Sequence, residues 1–268
     1  MPFGRKPLFT ATRALNSKPS KSRLDRLLVQ RGLVGSRERA QSLILAGRVL
    51  VDQQKAEKAG VSVSGDSRLE IIGEPVQYVS RAGLKLAGAL DAFGLSPRGK
   101  VSIDIGASTG GFTQCLLEHG ATKVYAVDAG TNQLDWSLRQ DARVVVMEKT
   151  NARYLRFDRI GERAALLTMD VSFISSTLIL PAMPQFLAPG ADVLILVKPQ
   201  FEVGRKQVGK GGIVRAPHLH AAAVRKVWDE MHRVGFDVQD SMESPLPGAE
   251  GNREFFLHAV WPAAPRGC

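Results

Sequence analysis

The stretch "VSIDIGASTGGFTQCLL", Val101 to Leu117, decides the fold. A short apolar run carries Asp104 and leads into Gly106-Ala107-Ser108-Thr109-Gly110-Gly111, after which a helical pattern begins. A strand, a glycine turn and a helix start, in that order, bring backbone close to a nucleotide-like ligand. The glycines read G-x-x-x-G-G rather than G-x-G-x-x-G, so the turn by itself is weak evidence of which ligand.

Downstream, strand and helix patterns alternate: "TKVYAVDAG", "LDWSLRQD", "RVVVMEK", "RAALLTMDVSF", a helical stretch, then "ADVLILVKPQFEVG". Continuous apolar strand cores such as Val193–Val197 predict a parallel sheet covered on both faces, an α/β fold of Rossmann-like type. Upstream, "AGLKLAGALDAFGL" predicts an amphipathic helix that ends at Gly94, and after Pro217 the chain predicts one more helix and one late strand, "REFFLHAV".

Two carboxylates narrow the ligand. Asp104 sits one residue before the end of the first strand, where it could reach a charged amine. Asp128 ends the second strand, where a carboxylate accepts bonds from both ribose hydroxyls. With Gly106, Ala107, Ser108, Gly110 and Gly111 as the turn, this pairing resembles the S-adenosylmethionine site of Rossmann-like methyltransferases more than a dinucleotide site, although an NAD-type oxidoreductase stays open. Glu148 and Asn151 follow the third strand, where an adenine would lie, and as lone polar residues they are also ordinary turn formers. Asp170 ends the fourth strand beside the expected methyl group.

Methyl transfer from a sulfonium needs an in-line nucleophile. If that nucleophile is a ribose hydroxyl, its proton must leave, and a lysine can take it or stabilise the developing charge. Lys198 closes the apolar strand in "VLILVKPQF", where an unpaired charge is costly, so it is either functional or bonded to carbonyls. Taken alone, Lys85 reads as a solvated helix lysine and Glu254 as a strand-edge charge.

The composition is that of an ordinary globular protein, 44% hydrophobic and 23% charged, with a net charge of +10. Residues 1–80 carry 14 Lys/Arg against 7 Asp/Glu, and the remainder 22 against 19. A basic front on a nearly neutral body points to a polyanion-binding module joined to an enzyme-sized domain. Cys115 and Cys268 cannot form a disulfide framework and lie in no metal-ligand spacing, so the expectation is a cytoplasmic protein without a metal. No apolar run approaches the roughly 18–20 residues of a membrane span.

Residues 1–21 have no acid and read as a flexible basic arm. An organelle transit peptide has the same composition. Next, "SRLDRLLVQRGLVGSRERAQSLILAGRVLVD" predicts a helix with Leu24, Leu27, Leu28 and Leu33 at helical spacing, closed by Gly32. A second helix is capped by Ser36 and ended by Gly47, and a strand begins after it. This lettering over residues 22–73 resembles the S4 RNA-binding module. Arg23, Arg26, Arg37, Arg39 and Arg48 fall on the helices and the turns between them, where they could follow a phosphate backbone, and Arg81, which closes the linker, is a further candidate for RNA contact. The resemblance implies structured RNA as partner, read mostly through shape and phosphates. Residues 74–81 read as a linker, 82–262 as the catalytic domain and 263–268 as a tail.

Taken with the S4 front, the ordered motifs "VSRAGLKLAGAL", "DIGASTGGFT", "TNAR", "DVSFIS", "LVKPQFEVG" and "SPLPG…GNREFF" resemble the TlyA-type family. The resemblance implies an S-adenosylmethionine-dependent 2′-O-methyltransferase acting on cytidines of ribosomal RNA, with a Lys-Asp-Lys-Glu catalytic set that falls on Lys85, Asp170, Lys198 and Glu254. The end soon after "FFLHAV" favours the class that modifies large-subunit RNA. Two rival readings remain at this stage: a membrane-lytic protein, from the family's hemolysin label, and a catalytically idle RNA-binding assembly factor.

Overall fold

The computed structural model describes residues 21–34, 37–45, 47–56, 58–72, 78–248 and 251–263. The basic arm before Lys21, the Ser36 cap, linker residues 74–77, the side chain of Arg39 and the tail after Ala263 lie outside the described residues. The chain divides into two units, Met1–Pro75 and Val76–Cys268.

In the first unit β1 (Lys21–Arg23) leads directly into α1 (Leu24–Gln30), followed by α2 (Arg37–Leu45), β2 (Val49–Val51), β3 (Gln54–Lys55), β4 (Ser62–Ser64) and β5 (Leu69–Ile71). Strand β1 pairs with β4, and the other three form a sheet in the order β3-β2-β5. Leu24, Leu27 and Leu28 of α1 bury with Leu43 and Ile44 of α2 and Val49 of β2, which is the core that the leucine spacing predicts. Leu33 does not join it: the chain has left α1 by Gly32, and Leu33 is exposed. The β2–β3 hairpin turns on Asp52 and Gln53, both with positive φ, the geometry that matches strand twist across a two-residue loop.

The second unit runs α3 (Ala82–Phe93), β6 (Val101–Ile105), α4 (Gly111–Glu118), β7 (Lys123–Val127), α5 (Trp136–Arg139), β8 (Val144–Met147), β9 (Ala164–Met169), β10 (Leu187–Val197), α6 (Pro199–Glu202), α7 (Pro217–Val234), β11 (Asp237–Glu243) and β12 (Phe255–Val260). Its sheet has the order β11-β12-β10-β9-β6-β7-β8. Strands β6 to β10 are parallel, whereas β12 runs antiparallel to both β10 and β11. Alternate residues of β10 serve opposite faces. Val193, Ile195 and Val197 pack with Val227 and Met231 of α7, while Leu194 and Leu196 pack with Leu86 and Leu90 of α3. That double coverage is why the strand is apolar at every position.

The order reverses between β6 and β9, so a crevice opens past their C-terminal ends, where such sheets place ligands.

Three sequence expectations change. The stretch between β9 and β10 forms three short 3-10 turns, because Pro181 and Pro184 interrupt any longer helix. The late strand "REFFLHAV" is β12, and a further strand, β11, precedes it; β11 is a polar edge strand with Val238 its only buried residue, so it has no apolar pattern to read. Tyr78, assigned to the linker, is buried against Gly83, where a Cβ would come within 2.3 Å of its ring.

Candidate active site

The turn after β6 and the chain after β9 meet at the reversal point. The Asp170 N–H donates to the Ile105 carbonyl at 2.9 Å. Gly106 has φ +84°, and a Cβ there would lie 2.4 Å from the Asp170 carbonyl oxygen, so only glycine lets the two segments approach this closely. Asp170 thereby projects over the glycine turn. Lys198, where β10 ends, forms an ion pair with it at 2.6 Å and donates to the Ser172 hydroxyl at 2.8 Å.

A second pair faces the same space. Lys85 Nζ lies 2.5 Å from Glu254 Oε2, and both side chains are buried. The partners are 169 residues apart in sequence, and small residues bring them together. Gly83 lets the start of α3 pack over Tyr78, and Gly88 lies under Pro245 of the "SPLPG" segment. At Gly248 a Cβ would sit 2.5 Å from Glu254 Oε1. Gly248→Ala is therefore expected to push the Glu254 carboxylate off Lys85 and lower turnover about tenfold or more, without changing cofactor affinity, because displacements under an ångström are costly at a reacting centre. A kcat equal to that of the unaltered protein would show that the pair tolerates displacement.

Lys85, Asp170, Lys198 and Glu254 line one cavity of about 300 Å³, with Gly106, Ala107, Ser108, Gly111 and Arg81 also in its wall. It shares Gly106, Ser108, Asp170 and Ser172 with a larger lobe of about 480 Å³ bounded by Val127, Asp128, Asn151, Phe173 and Ile179. Ser172 and Phe173 belong to the "DVSFIS" motif, but nothing in the residues themselves singles them out as site residues beyond their closeness to Asp170. Gly110, also at positive φ, makes room for Leu134 and Leu138 rather than facing the cleft.

Asp128 stands at the end of β7. It accepts from the Ser108 N–H at 2.8 Å and the Gly130 N–H at 2.6 Å, one on each oxygen. Each oxygen retains a lone pair for a ligand hydroxyl. Asn151 lines the lobe while its Oδ1 accepts from the Arg153 N–H. Glu148 does not reach the cleft. Its carboxylate accepts from the N–H groups of Asn132, Gln133 and Leu134 and pairs with Arg139, which makes it a turn former.

Asp104 also departs from expectation. It is fully buried, accepting from Thr113 Oγ1 at 2.7 Å and Thr168 Oγ1 at 3.1 Å, so it braces β6 against α4 and β9 and does not line the cleft. Burial pushes its pKa up to about 7, against the lowering effect of the two hydroxyls. Between the ordinary value of 3.8 and about 7 the folded protein holds a proton that the unfolded chain has lost. The contribution of Asp104 to stability therefore falls as pH rises through that window. Asp104→Asn removes the dependence, so its melting temperature relative to the unaltered protein should rise from pH 4 to pH 7. A difference constant with pH would contradict the buried-acid assignment.

Residues 78–261 match the model of the FtsJ-like methyltransferases, and residues 22–69 match the S4 domain. The chain is 47% identical over 238 residues to the 16S/23S rRNA (cytidine-2′-O)-methyltransferase TlyA of Mycobacterium tuberculosis, covering 88% of this chain and 89% of that one. It belongs to the TlyA-type family. Another relative, Hemolysin A of Brachyspira hyodysenteriae, is 41% identical over 89% of this chain and 99% of its own. A solved structure from Streptococcus thermophilus, named for a hemolysin, superposes with a TM-score of 0.72 at 44% identity, covering 93% of this chain and 91% of that one. Both the resemblance and the fold class read from the sequence are thus borne out.

The S4 domain of this TlyA-type chain uses part of its arginine set internally. Asp25 is buried and accepts from Arg23 at 3.1 and 2.9 Å, from Arg37 at 3.1 Å and from Gln41 at 3.0 Å. The Arg23 guanidinium, helped by Gln41 and Arg37 against the effect of burial, holds its carboxyl well below the usual range. Arg48 donates to the Ile72 carbonyl at 3.0 Å. These arginines cross-link the domain as well as edging its surface, whereas Arg26 is exposed.

Proposed function

We propose that this protein transfers a methyl group from S-adenosylmethionine to the 2′-hydroxyl of a cytidine in ribosomal RNA, acting in the cytoplasm and on large-subunit RNA. The observation that carries this reading is the placement of two lysine–carboxylate pairs around one cavity that opens into a nucleoside-sized lobe ending at Asp128. The lobe fits the cofactor: it has apolar walls from Val127 and Ile179, and Asp128 has acceptor capacity left for two hydroxyls. When bound, the cofactor supplies a methyl group already activated by its sulfonium.

The protein's own residues then manage the proton. Lys198, once its own proton has passed to solvent, takes the proton from the 2′-hydroxyl as the oxygen forms its bond to carbon, and Asp170 and Ser172 hold the ammonium before and after that transfer. Lys85, kept charged and oriented by Glu254, stabilises the negative charge that develops on the oxygen. Arg81, at the rim, meets RNA phosphate, and Arg26 and the S4 domain add to the affinity for RNA. Asp104 acts at one remove, through the turn it braces.

The name of the Mycobacterium tuberculosis relative supports the choice of acceptor. No helix among the described residues is long and apolar enough to cross a membrane. The test is incubation of the purified chain with methyl-labelled S-adenosylmethionine and ribosomal RNA from cells lacking this activity. Label is expected in the large-subunit RNA; label confined to small-subunit RNA would overturn the choice of substrate, and its absence from RNA of both subunits, free or assembled, would overturn the whole proposal.

A further inference from the structure

Between Glu202 and Asp229 the chain carries six Lys/Arg residues and no acid. Lys226 is engaged, pairing with the buried Glu202 at 3.1 Å. Arg205, Lys206, Lys210, Arg215 and Arg225 are exposed and meet no carboxylate among the described residues. Some exposed arginines of this unit do have such partners, Arg143 with Asp141, Arg156 with Asp158, Arg233 with Glu230 and Arg253 with Glu243. Arg98, Arg153 and Arg159 also lack one among the described residues but do not form an acid-free run. Leaving five neighbouring cations without counter-ions costs self-repulsion, which a polyanion relieves.

The segment is held in place at both ends by catalytic elements. It leaves α6, which starts immediately after Lys198. At the other end the Val214 N–H donates to Asn252 Oδ1 at 2.9 Å, and Asn252 Nδ2 donates to the Gly212 carbonyl at 2.9 Å. Asn252 is buried and lies two residues before Glu254. His220 Nε2 donates to the Val214 carbonyl at 2.8 Å, fixing the same residue from α7. The loop is thus a fixed, positively charged span joining the elements that carry Lys198 and Glu254.

We infer that residues 204–215 form a phosphate-binding loop on the catalytic unit itself, gripping the RNA backbone beside the nucleotide to be modified, separately from the S4 domain. The inference rests on the RNA-methylating reading above. Phosphate contacts of this kind fix register and carry little sequence information, so the loop contributes to substrate affinity and placement rather than to the chemical step.

The test uses the full chain with Arg205→Gln, Lys206→Gln and Lys210→Gln combined, all at exposed positions. Binding to extracted ribosomal RNA is measured by filter retention across a salt series, independently of turnover. The slope of log affinity against log salt should fall by about 2, since each lost phosphate contact removes about 0.7–0.9. The KM for RNA should rise about tenfold or more, with kcat and cofactor affinity within about twofold. A control with the paired Arg156→Gln and Arg233→Gln should leave the slope unchanged. An unchanged slope in the triple variant, or an equal fall in the control, overturns the inference. RNA binding with the expected slope change but no methyl transfer by the unaltered protein would sink the catalytic reading while leaving the loop in place.

Discussion

Lys198→Ala is expected to lower methyl transfer by roughly 10²–10⁴ while leaving the fold and the affinity for S-adenosylmethionine close to those of the unaltered protein. The ammonium sits where β10 ends, 2.6 Å from Asp170 and 2.8 Å from Ser172, outside the sheet's apolar core. Truncation therefore removes the group that handles the hydroxyl proton without opening a core cavity. Asp170→Ala should cost a similar factor, and the double variant little more than either single one, because groups that act as a unit are not additive. Single-turnover kinetics with labelled cofactor would measure both. Normal turnover by Lys198→Ala would place the proton transfer on another residue.

Gly106→Val should abolish detectable cofactor binding, a loss of about a hundredfold or more. At φ +84° a β-branched residue is strained by about 1–3 kcal/mol. Its Cβ would also have to displace the Asp170 carbonyl, 2.4 Å away, which moves the β9 end that forms part of both lobes. Calorimetric titration reads the affinity, and the melting temperature reports how much of the loss is general destabilisation. Gly106→Ala, with less bulk at the same φ, should lie between the two. Retained affinity in the valine variant would mean that the reversal point relaxes more than its close packing suggests.

These two positions were legible in the sequence for a physical reason. A glycine after an apolar strand and a charge closing another are local signals, and the parallel sheet converts strand ends into neighbours. Lys85 and Glu254 had no local signal: a lysine in an amphipathic helix and a glutamate before a strand look solvated. Their pairing depends on the approach of segments that Gly83, Gly88, Pro245 and Gly248 permit, and only the family resemblance pointed to them. Asp104 and Glu148 show the converse, although a turn-forming role was already open for Glu148. Strand-end position suggested ligand contact, but hydroxyls from α4 and β9 enclose the first, and the N–H groups of residues 132–134 engage the second. Similarly, the charge count located a basic front but not Asp25, whose burial turns Arg23 and Arg37 partly inward.

The most direct measurement of the central claim is nucleoside analysis of ribosomal RNA methylated by the purified protein, with alkaline-resistance mapping of the modified position. The account predicts a single added product, 2′-O-methylcytidine, appearing as one alkali-resistant linkage and absent when Lys198→Ala replaces the unaltered protein. A methyl group found on a base, or on the ribose of a nucleotide other than cytidine, would contradict it.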